Sequence, residues 1–169
     1  AQELLAAGAL EEGTVISARR QTHGKGQAGA TWESQADQNI TLSVVLYPDF
    51  LEARAHFSLN QALALAVRDL VAAQVQDPVC IKWPNDIYIG DGKTAGILVQ
   101  TSLSGNRFQY CIAGIGINVN QTVFPDHLPN PVSLALAEGR QYDLPTLRQS
   151  LFLQLETRYL QLKAGEGER

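Results

Sequence analysis

"VCIKWPNDIYIGDGKTAGILVQTSL", residues 79–103, decides the fold. Three apolar runs, VCIKW, DIYIG and KTAGILVQTSL, follow in quick succession, and Gly90, Asp91 and Gly92 form a tight hairpin turn between the last two. SGN at 104–106 then turns the chain into a further strand, RFQYCIAGIGINV (107–119). The pattern predicts an antiparallel meander.

Outward from it, TVISARR and NITLSVVLY read as two more strands, the second closed by Pro48 and Asp49. Residues 51–75 alternate apolar and polar groups at helical spacing, with Phe57, Leu59, Leu63, Val67 and Leu70 near one face of a long core helix. NPVSLALAEG and LPTLRQSLFLQLETRYLQLKAG finish the chain as a short and a long helix, each with Pro or Ser near its start and Gly at its end. AQELLAAG at the start reads as the end of a helix without its cap, so a preceding segment is expected. Paired strands with helices gathered elsewhere give an α+β fold with a mixed, largely antiparallel sheet flanked by helices.

At 169 residues and 45% hydrophobic content, the chain suits one domain. Thirteen basic against seventeen acidic residues, with no Lys/Arg run, disfavour a sequence-independent grip on nucleic acid. Cys80 and Cys111 each sit in a strand-like apolar run and read as two reduced core thiols. His23, His56 and His127 lie far apart and make no zinc signature, so the metal-binding residues are unknown at this point. No stretch approaches the roughly 18 apolar residues of a membrane span, and no signal segment opens the chain. A soluble, cytoplasmic protein is expected.

QTHGKGQAGATWES (21–34) carries Gly24, Gly26 and Gly29 in the spacing of a dinucleotide-binding turn. That motif requires its glycines to open a helix and an acidic residue about twenty positions later at the end of a strand. Here a polar stretch and a strand follow, and Asp49 lies in a turn. GDGKT resembles the tail of a P-loop, but Ile87 stands where its first Gly belongs and a strand follows the Lys. What remains is a loop whose glycines free backbone N–H groups toward an anion, with Lys25 for charge and Trp32 to cover an apolar ring.

This loop, then KWPND followed by KTAGIL, then GIGINVN, in this order, resemble the biotin protein ligase family across nearly the whole chain. The resemblance implies a class II aminoacyl-tRNA synthetase/biotin ligase-like fold, with residues 1–169 as a catalytic domain. It also implies an ATP-dependent, Mg²⁺-requiring biotin-[acetyl-CoA-carboxylase] ligase that makes biotinyl-5′-AMP and passes biotin to a lysine of a biotin carboxyl carrier protein domain. A biotin carboxylate approaching the α-phosphate meets a repulsion of about 4 kcal/mol at ~4 Å and an effective dielectric near 20, so fixed cations are needed there.

By resemblance Lys93 contacts both the biotin carboxyl region and the α-phosphate, and Lys25 stands where the family usually has Arg, keeping charge but losing the planar fork. Gln21 matches a biotin hydrogen-bonding position. Gly114 and Gly116, alternate residues of a strand, leave room for the biotin rings, with Gly24 and Gly96 on the same wall and Gly26 and Gln27 in the biotin loop. Trp32 matches an aromatic over the adenine, while Asn85 and Asn118 fall on the nucleotide side. Asp86 either positions the incoming lysine or simply pairs with Lys82 or Lys93.

The chain departs from the family in several places. Gln27, Ala28 and Ala30 stand where arginines are frequent. A Ser/Thr-Thr-Asn element on the N-terminal side and a small C-terminal β-barrel domain are expected to lie outside these residues, as is any helix-turn-helix DNA-binding domain. A homodimer is compatible with the resemblance. The rival readings are a lipoate or octanoate ligase of the same superfamily, and a non-catalytic binder of biotin or biotinyl-AMP.

Overall fold

The structure, a computed structural model, describes residues 1–8, 10–21, 23–26, 29 and 31–165. In chain order the elements are α1 (Gln2–Ala7), β1 (Val15–Ser17), β2 (Gly24–Lys25), β3 (Thr31–Trp32), β4 (Ile40–Leu46), α2 (His56–Ala72), β5 (Val79–Lys82), β6 (Asp86–Ile89), β7 (Gly92–Ser104), β8 (Arg107–Ile117), α3 (Leu134–Glu138) and α4 (Leu144–Lys163). Six strands form one sheet in the order β1-β4-β8-β7-β6-β5, and every named strand pair in it is antiparallel. The parallel component of the expected mixed sheet shrinks to one isolated bridge, Lys93 to Pro131. β2 and β3 make a separate small hairpin inside the glycine loop, which the sequence did not announce because two-residue strands carry no periodicity.

One sheet face is covered by α2 and α4. Strand alternation aims Ile40, Leu42, Val44 and Leu46 of β4 and Cys111, Ala113, Ile115 and Ile117 of β8 at these helices. From α2, Leu59, Leu63, Val67 and Leu70 meet them at helical spacing, but Phe57 does not: it is 51% exposed, one residue outside the buried stripe. From α4 come Leu147, Leu151, Leu155 and Leu162. Ser133 caps α3 by accepting from Leu136 N–H at 3.1 Å, and Asp143 caps α4 by accepting from Thr146 N–H at 3.0 Å. Cys111 is a core thiol that burial pushes up to about 12, whereas Cys80 lies exposed on edge strand β5, correcting the expectation of two core thiols; both are free. Among the described residues no helix is long and apolar enough to cross a membrane.

Asp69 of α2 ties the two long helices. Its carboxylate accepts from Arg158 Nε of α4 at 2.9 Å and from Arg68 Nη1 at 2.9 Å. Burial pushes this carboxyl up, but the two guanidinium groups outweigh burial and hold it below the usual carboxylate range. A lowered native pKa stabilises the fold fully above the unfolded value near ~3.9 and is lost as pH falls through the native value. Asp69→Asn should therefore cost roughly 1–3 kcal/mol in urea denaturation at pH 7. It should also flatten the loss of stability below about pH 4; an unchanged acid limb in the variant would contradict this role.

Candidate active site

The sheet face opposite the helices has glycines at the centre of its floor. The register puts Thr41, Gly116, Gly96 and Asp86 in one row across β4, β8, β7 and β6, with Ser43, Gly114 and Leu98 in the next row. Above this floor lies a cavity of about 460 Å³, within the size range of small-molecule sites. The glycine loop closes it from above through Gln21, Lys25, Gly26 and Trp32.

Lys93 reaches this face because β7 is irregular. Simple alternation from Gly96 would aim residue 93 at the helices. The register instead slips between Ile87 and Tyr88, so that Ala95 pairs with Ile87 and Lys93 with Tyr88, leaving Thr94 bulged. The Lys93 backbone is held on its other side, its N–H donating to the Asn130 carbonyl at 2.8 Å and its carbonyl accepting from Val132 N–H at 3.0 Å. The ammonium then donates to Asp86 Oδ2 at 2.7 Å, each side chain about two-thirds buried. Both lie against Gly96, where an added Cβ would be 3.5 Å from Asp86 Oδ1 and 3.6 Å from Lys93 Cε. Of the two partners open to Asp86, Lys93 is the one engaged; the Lys82 ammonium lies over the Tyr88 ring, 5.2 Å from its centroid.

Asn85 is buried and spent on the backbone: its side-chain amide donates to the Ile97 carbonyl, and its own carbonyl accepts from Ile97 N–H at 3.1 Å. These bonds fix the β5–β6 turn, which contains a cis Trp83–Pro84 peptide, against β7. Asn85 still lines the cavity with Asp86, Lys93, Gly96, Gly114 and Gly116. Asn118 is not among the lining residues; its amide donates to the Val132 carbonyl at 3.2 Å, and its Oδ1 is buried without a partner. Gly24 is not a wall glycine either. It sits in the β2–β3 hairpin, where any Cβ would overlap the Trp32 carbonyl oxygen. Gln27 lies outside the described residues, as do Ala28 and Ala30.

Trp32 occupies the space above the glycines. A Cβ on Gly116 would overlap its indole, and one on Gly96 would be 3.3 Å from it. The room expected at Gly116 for a ligand ring is filled by this side chain, whose Nε1 is buried and unpaired. The chain leaving Trp32 is anchored by Gln121, whose amide oxygen accepts from Gln35 N–H at 3.0 Å and Asn39 Nδ2 at 2.6 Å. Glu33 pairs with His127 Nε2 at 2.8 Å.

Thr41, Ser43 and Gln100 also line the cavity and were missed in the sequence reading. For Thr41 and Ser43 the signal is available: in NITLSVVLY the polar residues alternate with the core residues and so mark the other face.

A helix-backed antiparallel sheet carries, on its open face, a cavity with glycines in its floor, a lysine–aspartate pair and a loop-borne tryptophan. The chain belongs to the biotin/lipoate A/B protein ligase family, which residues 1–118 match. It is 40% identical over 152 residues to the bifunctional ligase/repressor BirA of Bacillus spizizenii, covering 88% of this chain and 46% of that protein. It is 33% identical over 160 residues to the biotin--[acetyl-CoA-carboxylase] ligase of Mycobacterium tuberculosis, covering 92% and 58%. The solved structure of the Aquifex aeolicus biotin protein ligase in complex with biotin and ATP superposes with a TM-score of 0.83 at 30% identity, over 96% of this chain and 67% of that one. The chain thus spans about half the length of these curated relatives.

Because the chain has two tryptophans, a Trp83→Phe background leaves Trp32 as the reporter. In it, Gly116→Ala should push the indole off the floor and shift its emission to the red, while unfolding free energy falls by less than about 1 kcal/mol. An unchanged emission maximum would contradict the indole-on-glycine packing.

Proposed function

We propose that residues 1–169 are the catalytic domain of an ATP-dependent biotin protein ligase, which activates biotin as biotinyl-5′-AMP and transfers it to a lysine of a biotin carboxyl carrier protein domain. The observation that carries this reading is the Lys93–Asp86 pair standing on Gly96 in the wall of the cavity. The family membership and the relatives of that activity support it.

In the first half-reaction a biotin carboxylate oxygen attacks the α-phosphorus, the new O–P bond forms, and the bond to the leaving pyrophosphate breaks. Lys93 offers a cation where these two anions must meet, and Lys25 on the loop adds a second. Gln21 is assigned to the polar end of biotin, and Gly26, Gly96, Gly114 and Gly116 to its close-approach walls. Trp32 is assigned to the adenylate, so ligand entry requires the indole to give up part of the floor it covers. Asn118 keeps an unpaired Oδ1 but is buried outside the cavity lining, so it is given no contact with the nucleotide.

In the second half-reaction the neutral amine of the carrier lysine attacks the acyl carbon, the C–O bond of the mixed anhydride breaks, and AMP leaves. Asp86, released from Lys93 as Lys93 turns to the ligand's anionic groups, is the carboxylate placed to receive the amine's proton. Among the described residues no three His, Cys, Asp or Glu side chains converge on a metal position, and Asp86 is already paired. Since Mg²⁺ at a nucleotide needs only one or two carboxylates beside the phosphates, such an ion would be held chiefly by the ATP phosphates and would neutralise their charge. The free thiols fit a reducing compartment, and we assign the cytoplasm.

Biotin-dependent exchange of labelled pyrophosphate into ATP, measured on the full-length protein containing this chain, should be present and should favour biotin over lipoate. Lys93→Ala should lower it at least about 100-fold while biotin affinity changes far less. Equal loss of both would favour a non-catalytic binder, and absence of exchange in the wild type would overturn the assignment.

A further inference from the structure

Trp83 is 75% exposed, more than any other large apolar side chain among the described residues, and the reaction assigned above gives it no task. It stands in the turn joining β5 to β6, where Lys82 and Asp86 are register partners. The mount is rigid, because Asn85 is locked to Ile97 by both its side chain and its backbone. An exposed indole on a fixed turn keeps most of its apolar area for something outside the chain and loses little conformational entropy on being covered.

Its position says what that something is. Trp83 and Asp86 are three positions apart, so their Cα atoms lie within about 11 Å. A protein partner whose lysine reaches the Lys93–Asp86 position must rest on the surface around it. A typical docking patch of ~800 Å² per partner has a radius of roughly 16 Å, large enough to take in this turn. Tryptophan is also among the residue types that most often dominate the energetics of such patches. Beside it Lys82, exposed on the same turn, carries a cation over the Tyr88 ring. The rim therefore offers an apolar anchor flanked by positive charge, matched by a surface with an apolar side chain and a carboxylate.

We propose that Trp83, with Lys82 beside it, is the docking anchor for the carrier domain, a folded protein presenting its target lysine to Asp86. This rests on the ligase reading above. Trp83→Ala and Trp83→Phe, made in the full-length protein, should leave biotin-dependent pyrophosphate exchange and capture of the activated biotin by hydroxylamine within about twofold of wild type. Trp83→Ala should lower kcat/KM for the apo biotin carboxyl carrier domain at least about tenfold, chiefly through KM, with Phe restoring most of it. Lys82→Glu should lower the same value several-fold and reduce its salt dependence. Unchanged carrier kinetics in Trp83→Ala would overturn the proposal, as would a parallel loss of exchange and transfer, which would make Trp83 part of the pocket or fold. Failure of the ligase reading shows separately, as absent exchange in the wild type.

Discussion

The salt bridge between Lys93 and Asp86 over Gly96 is the contact on which the site depends. It brings a cation and a carboxylate onto a face whose other lining residues are uncharged apart from those of the glycine loop. Two features make it possible, and neither belongs to the pair itself. The bulge at Thr94 changes the phase of β7 so that a residue at its start faces the same way as Gly96. The segment 130–132 then takes the Lys93 backbone bonds that a regular β6 pairing would have used. The pair thus depends on the meander for its floor and on the 120s–130s segment for its aim.

The two faces of the sheet divide the work. The helix face is packed with branched aliphatics and held by the Asp69–Arg158 tie between α2 and α4, giving the strands a rigid backing. The cavity face gives up side-chain packing at Gly96, Gly114 and Gly116, and part of the exposed floor is covered by Trp32. An apolar ligand in the cavity would therefore compete with the Trp32 indole for one surface. The polar anchors behind the indole, Gln121 and the Glu33–His127 pair, set where the loop leaves the sheet.

Much of this was legible in the sequence where local physics decides. The Gly90–Asp91 turn and the close spacing of apolar runs dictated hairpins, and 3.6-residue periodicity dictated α2 and α4. Legibility ended where tertiary packing chooses among equivalent local options. Phe57 satisfies the helical pattern yet falls outside the stripe that meets the sheet, and Cys80 sits in a strand-like run that became an edge. Gly24 and Asn118 share motifs with wall residues, but the first is needed by a two-residue hairpin and the second is turned toward Val132. The alternation in β4 did carry the missed Thr41 and Ser43, because a strand with helices on one face shows its other face through its polar residues.

On the proposed function, this cavity makes and keeps a mixed anhydride between biotin and AMP. The direct measurement is to incubate the full-length protein with biotin and ATP labelled at the α-phosphate, pass it rapidly through gel filtration, and identify the label that travels with it. The expected result is close to one biotinyl-5′-AMP per site, formed only with biotin present and discharged on adding the carrier domain. Label that appears without biotin, or none retained with it, would contradict the proposed activation of biotin.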